Sequence, residues 1–210
     1  MKLFISSILF FVLGFSRAQT YPNYKISLLA NISPETQNNW YPVSTKYAGC
    51  FGWHNPVDDK EYAILGSTKG NHFIEVTNPT NPVVRDFVPA ASQNNLWREI
   101  QTYQNYAYLV SDDNGSTLQI VDMSYLPDSV HVVYDSNALF ARSHTIFIEG
   151  NKLFCGSVTL TGGGGFYPMA VYDLINPTSP VFLRNLGDDF PFAGIVHDMF
   201  VKNDTVFASH

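Results

Sequence analysis

Four residues of this 210-residue chain, His54, Arg98, His144 and His197, each stand eight positions before a short aromatic–apolar run. The next position in each case holds Asn55, Glu99, Thr145 or Asp198. Neutral imidazoles can ligate a metal or take a proton, and imidazolium with guanidinium attracts anions. Arg98 weighs against a simple ring of metal ligands, because a guanidinium has no lone pair to give. Glu99 or Asp198 could assist His144 or His197 as a general base in an extracellular hydrolase or lyase. A side chain that recurs once per unit also suits a structural duty, bonding neighbouring strands. Structural, anion or polar-ligand, and metal roles therefore all stand open for the six residues His54, Arg98, His144, His197, Glu99 and Asp198.

What must position them is a repeat. The runs are "YAILGS" (62–67), "YAYLVS" (106–111), "KLFCGS" (152–157) and "TVFASH" (205–210), with starts 44, 46 and 53 residues apart. The segments before them end in "DDKE", "YQN", "EGN" and "KND", residue types that close hairpins. After them come "HFIEV", "TLQIVD" and "MAVYDL", and the connectors "NPTNPVV" (78–84) and "NPTSPVF" (176–182) are nearly one heptapeptide. Proline fixes φ and cannot continue a central strand, so both are inter-strand turns. Each unit reads as four antiparallel strands, in the second about 98–103, 106–111, 117–123 and 130–135. No long helical periodicity interrupts them. The class is all-β, and a four-stranded unit of about 40–50 residues marks a propeller blade. Blades are expected at about 50–90, 95–136, 141–187 and 194–210, the fourth incomplete and the array truncated. With the first strand innermost, the His/Arg column would form an arc at one mouth of a channel. "YKISLLANI" (24–32), within a segment spanning 19–45, reads as a candidate closing strand.

Other features have plainer readings. Glu75, Asp122 and Asp173 close the third strands, where a carboxylate accepts hydrogen bonds from turn amides. Trp53 and Trp97 share the column before the histidines and read as core between blades. "DDNGST" (112–117) lacks the later Glu of a calcium loop. "TGGGG" (161–165) lacks the Lys-Ser/Thr of a phosphate loop, and Ser157 lacks a nucleophile elbow. Neither a cofactor nor a catalytic set is indicated.

Residues 1–18 carry Lys2, the apolar "LFISSILFFVLGF" and small residues at Ser16 and Ala18, a secretion signal cleaved before Gln19. No other segment approaches a membrane span. The formal net charge is −6 and the 12 Lys and Arg are scattered, which argues against nucleic acid as a partner. Cys50 and Cys155 fall in different units and are expected as two unpaired, mostly buried thiols.

"EYAILGSTKGNHFIEVTNPTNPVVRDFVP" (61–89), "WREIQTYQNYAYLVSDDNGSTLQIVDMSYLP" (97–127) and the "SH" and "VHD" openings of the later units resemble the choice-of-anchor B family. "LQIVD" (118–122) and "MAVYD" (169–173) approximate its LVIVD repeat, and the likeness covers about 46–210. The resemblance implies an exported propeller with a variable C-terminal anchor. It carries no established activity and no catalytic residue. The expected product is an extracellular or cell-surface module that binds an unidentified ligand or surface component.

Overall fold

The structure is a computed structural model that describes residues 25–35, 46–93, 95–113 and 115–209. The chain is all-β, built from antiparallel sheets in sequence order, a propeller-like succession. Sheet one comprises β1 (Tyr47–Asn55), β2 (Lys60–Ser67), β3 (Gly70–Glu75) and β4 (Val83–Pro89). Sheet two comprises β5 (Arg98–Tyr103), β6 (Tyr106–Ser111), β7 (Leu118–Asp122) and β8 (His131–Ser136). Sheet three comprises β9 (Thr145–Glu149), β10 (Lys152–Thr159), β11 (Phe166–Asp173) and β12 (Val181–Asn185). Sheet four has two strands, β13 (Asp198–Lys202) and β14 (Thr205–Ser209). Strands pair only with their neighbours in sequence within each sheet. β5 and β6 occupy the residues expected of them, and the ends of β7 and β8 are displaced by one.

Both faces of the middle strands are buried, which explains why β6 reads as continuous "AYLV" rather than as alternating polar and apolar. Side chains alternate across a strand. Ala107 and Leu109 thus pack with Trp53, Ile64 and Phe73 of sheet one. Tyr108 and Val110 turn the other way, to Ile146, Leu153 and Tyr172 of sheet three. A smaller third cluster joins Phe154 and Met169 to Val196, Met199 and Val201 of sheet four.

The repeated heptapeptide makes the same turn twice. Asn78 Oδ1 accepts from the Thr80 amide at 3.2 Å and its hydroxyl at 2.8 Å, and Asn176 accepts from the same two groups of Thr178 at 3.3 and 3.1 Å. In sheet three the turn also meets its neighbour, where the Tyr108 hydroxyl donates to Pro177 O at 2.7 Å. The acids closing the third strands do bind turn amides. Asp122 accepts from Asn105 Nδ2 at 2.7 Å and Ser124 N at 2.9 Å, and Asp173 accepts from Asn151 Nδ2 at 2.8 Å and Ile175 N at 2.9 Å. Glu75 instead meets Arg85, 2.6 Å from its Nη2.

Two expectations are corrected. Trp97 is not core: it is 50% exposed, against 6% for Trp53. Cys50 is exposed, and only Cys155 is buried; both thiols are free. Residues 25–35 are irregular, and Ser33 and Glu35 bond to sheet one. The signal peptide and its cleavage site lie outside the described residues. Among the described residues no helix is long and apolar enough to cross a membrane.

Candidate functional site

A strand-ending serine fixes the height of each sheet. Arg98 pairs opposite Ser111 in sheet two, and Tyr47 pairs opposite Ser67 in sheet one. In sheets three and four, His144 and His197 immediately precede the residues paired with Gly156 and Ser209. His54, by contrast, pairs with Glu61 at the far, hairpin end of β1. The reason is hairpin length. The β5–β6 hairpin closes in two residues between Tyr103 and Tyr106, whereas β1 and β2 stay paired two residues beyond Trp53 and Tyr62, close through the longer Asn55–Lys60 turn and shift register between Tyr47 and Cys50. An equal offset along the chain is therefore not an equal height in the sheet, and the expected four-residue arc loses His54. The same difference separates Trp53 from Trp97. Tyr47 holds the position assigned to His54, and counting back across each hairpin from Ser67, Ser111 and Ser157 is the signal that finds it.

Arg98 is 5% exposed and spends its guanidinium on the preceding sheet. Its Nε donates to Ser67 O at 3.0 Å, and Nη2 donates to Thr68 O at 3.3 Å and Ser92 O at 2.6 Å. Burial lowers its pKa to about 10, against the opposing charge of Asp113, and it remains a cation at neutral pH. Close approach makes this clamp possible. A Cβ on Gly66 would sit 2.2 Å from Ala48 O and 2.8 Å from Arg98 Cβ. Gly156 repeats the device two seams further along, where a Cβ would meet Thr145 Cγ2 at 2.6 Å and Val196 O at 2.8 Å.

His144 reaches back in the same sense. Its Nδ1 lies 2.9 Å from Asp112 Oδ2 in sheet two, and Arg142 Nη1 lies 3.2 Å from the other oxygen of that carboxylate. Donation from Nδ1–H to Asp112 leaves Nε2 as the acceptor. The His197 ring stands 4.5 Å from that of His144, tilted by 51°, and His197 itself is exposed. Burial raises the pKa of Glu99; the Ile100 amide opposes the rise, the charge of Asp198 adds to it, and His144 opposes it. Glu99, His144 and Asp198 thus feel one another at the starts of β5, β9 and β13, with His197 adjacent. Among the described residues no three His, Cys, Asp or Glu side chains are grouped so as to hold a metal ion.

Tyr47 completes the pattern with a partner outside the sheets. Its hydroxyl accepts from Glu35 N at 2.7 Å and lies 3.0 Å from Ser33 Oγ. The Glu35 carboxylate in turn accepts from Ser67 Oγ at 2.8 Å and pairs with His72 Nε2 at 3.0 Å. Segment 33–35 thus meets the first sheet where Ser67 and Thr68 meet the second. Asp112, Tyr47 and Glu35 escaped the reading of the sequence because their partners lie in other units. Ser157 Oγ donates to Val196 O at 2.9 Å, a seam contact rather than a nucleophile's setting.

Compared with known proteins, the chain matches no family model and no curated sequence.

Proposed function

We propose that this chain is an exported β-propeller protein of the choice-of-anchor B type, acting at the cell surface as a non-catalytic binding and scaffolding module. One observation carries the reading. The side chain at the repeated position is committed to the seam with the preceding element, as Tyr47 with segment 33–35, Arg98 with three carbonyls and His144 with Asp112. Such once-per-unit bonding is what stacked blades need, since each buries its faces against neighbours.

Export is tested by N-terminal sequencing of the secreted protein. The expected first residue is Gln19, and a retained Met1 overturns this part of the proposal.

One observation favours the enzyme reading. The Asp112–His144 pair at 2.9 Å sets an imidazole acceptor beside His197 and near Glu99 and Asp198, the arrangement of a general base. On that reading His144→Ala abolishes turnover of an extracellular polymer while the fold persists. On the scaffold reading it costs stability alone.

A further inference from the structure

At the end of sheets one and two remote from Arg98, a cavity of about 620 Å³ opens between the β1–β2 turn and the β5–β6 turn. That volume lies within the roughly 300–1,000 Å³ of small-molecule pockets. Its walls include Trp53, Asn55, Pro56, Val57, Gln104 and Ser124. Trp53 is held rigidly, its Nε1 donating to Gln104 O at 2.9 Å and its ring 5.6 Å from that of Tyr62. Asn55 is 5% exposed, and its Oδ1 accepts from Val57 N at 3.0 Å. The hydroxyl of Ser124 and the amide of Gln104, both exposed, add donors and acceptors.

We propose that this cavity binds a sugar ring of a neutral glycan. A pyranose offers an apolar C–H face and an edge of hydroxyls that both donate and accept. The cavity offers the exposed Pro56 and Val57 over the buried edge of Trp53 for the first, and the amide of Gln104 and hydroxyl of Ser124 for the second. A wholly apolar occupant would strip water from Gln104 and Ser124 without replacing their hydrogen bonds, which is costly. An anionic occupant meets the wrong field. The lining His54 is flanked by Glu61 at 2.9 Å and Asp59 at 3.5 Å, and Lys60 is drawn to Asp58 at 3.6 Å. Three carboxylates against one ammonium surround the mouth, so uronic or sulfated sugars are disfavoured. His54, displaced from the other histidines, thereby acquires a place at the edge of a different site.

The inference rests on the reading of the chain as a binding module, and the two fail separately, because neither Gln19 as first residue nor the seam bonds of Tyr47, Arg98 and His144 involve this cavity. The test is isothermal titration calorimetry of the full chain with cellotetraose, maltotetraose, xylotetraose, mannotetraose and chitotetraose, with tetragalacturonate as the charged counterpart. At least one neutral tetraose is expected to bind, and tetragalacturonate is not. Val57 is 91% exposed, so Val57→Asp places a charge in the wall without touching the core. It should weaken binding by about tenfold or more with an unchanged melting temperature. Gln104→Asn keeps an amide and tolerates the left-handed φ of 56° there, and it should weaken the same complex. Val133→Asp, at an exposed position of β8, should leave binding as it was. Silence from all five neutral sugars, equal affinity for tetragalacturonate, or an unchanged affinity in both cavity variants overturns the proposal.

Discussion

Between sheets one and two, Arg98 lies buried beneath three carbonyls of its neighbour, and Trp53, Tyr62, Phe73, Ile100 and Leu109 close the seam around it. Between sheets three and four, the residue at the same position is the exposed His197, and the seam rests on Phe154, Met169, Val196, Met199 and Val201. Phe147 meets Phe200 edge-on at 5.5 Å there, yet Phe200 stays 53% exposed. The position is the same, and what differs is the neighbour available to cover it. A four-stranded sheet lies on either side of the first seam, and a two-stranded hairpin lies on one side of the last. A side chain's role in this chain is thus set by the completeness of the seam more than by its place in the repeat.

Adding a methyl group to the glycines that let the sheets touch gives the sharpest contrast. In Gly66→Ala the new Cβ would lie 2.2 Å from a backbone carbonyl oxygen, which has no rotamer by which to escape. In Gly156→Ala two of the three close neighbours, Thr145 Cγ2 and Met199 Cε, are side-chain atoms, and the nearest carbonyl oxygen is at 2.8 Å. Gly66→Ala should destabilise by about 3 kcal/mol and Gly156→Ala by about 1–2 kcal/mol. Chemical denaturation of both variants checks the order, and equal losses would mean that the last seam is as rigid as the first.

The column residues should follow the same ranking with smaller costs. Arg98→Met keeps the aliphatic stem but leaves three carbonyls without their donor, for a loss of about 2–3 kcal/mol. His144→Ala removes one bond to Asp112 and should cost about 1 kcal/mol. His197→Ala, at an exposed residue, should stay within about 0.5 kcal/mol. Thermal melts of the three variants decide it. A loss at His197 as large as at Arg98 would erase the distinction between the seams.

Much of this was legible in the sequence, for a reason the strands make plain. "YAYLVS" and "TLQIVD" are short β-branched and aromatic runs bounded by turn residues, so local chemistry specifies both their type and their limits. The twin Asn-Pro turns were equally readable, because their bonds run from Asn78 to Thr80 and from Asn176 to Thr178 within three residues of chain. The site was less readable. An offset counted along the chain treats every hairpin as equally long, and the extended β1–β2 hairpin breaks that assumption for His54 and Trp53. The partners of Tyr47, Arg98 and His144 belong to other units, and no periodicity within one unit reveals them. Exposure at Trp97 and Cys50 likewise depends on what the neighbouring chain covers.

The smallest expected effect, set by pH, separates the place where sheets two, three and four converge from the hairpin end of sheet two. Burial, reinforced by Asp198, raises the pKa of Glu99 above its unfolded value. The folded state therefore holds its proton longer than the unfolded chain does. Stability from this group is full below the unfolded pKa of about 4.3 and declines as pH climbs through the raised folded value. Asp122 runs the other way: burial works to raise its pKa, but the hydrogen bonds from Ser124 and Asn105 outweigh it and leave the value lowered. Its stabilisation is present above the unfolded pKa of about 3.9 and is lost as pH falls through the lower folded value. Glu99→Gln should therefore melt higher than the parent at pH 7, with the advantage gone near pH 4. Asp122→Asn should melt lower at pH 7 and converge on the parent below pH 3. Thermal melts from pH 2.5 to 8 read both signs in one series. If Glu99→Gln proves destabilising at neutral pH, the carboxylate is held by a favourable partner beside His144 and Asp198, and the convergence of the three sheets is a built charge site rather than a by-product of packing.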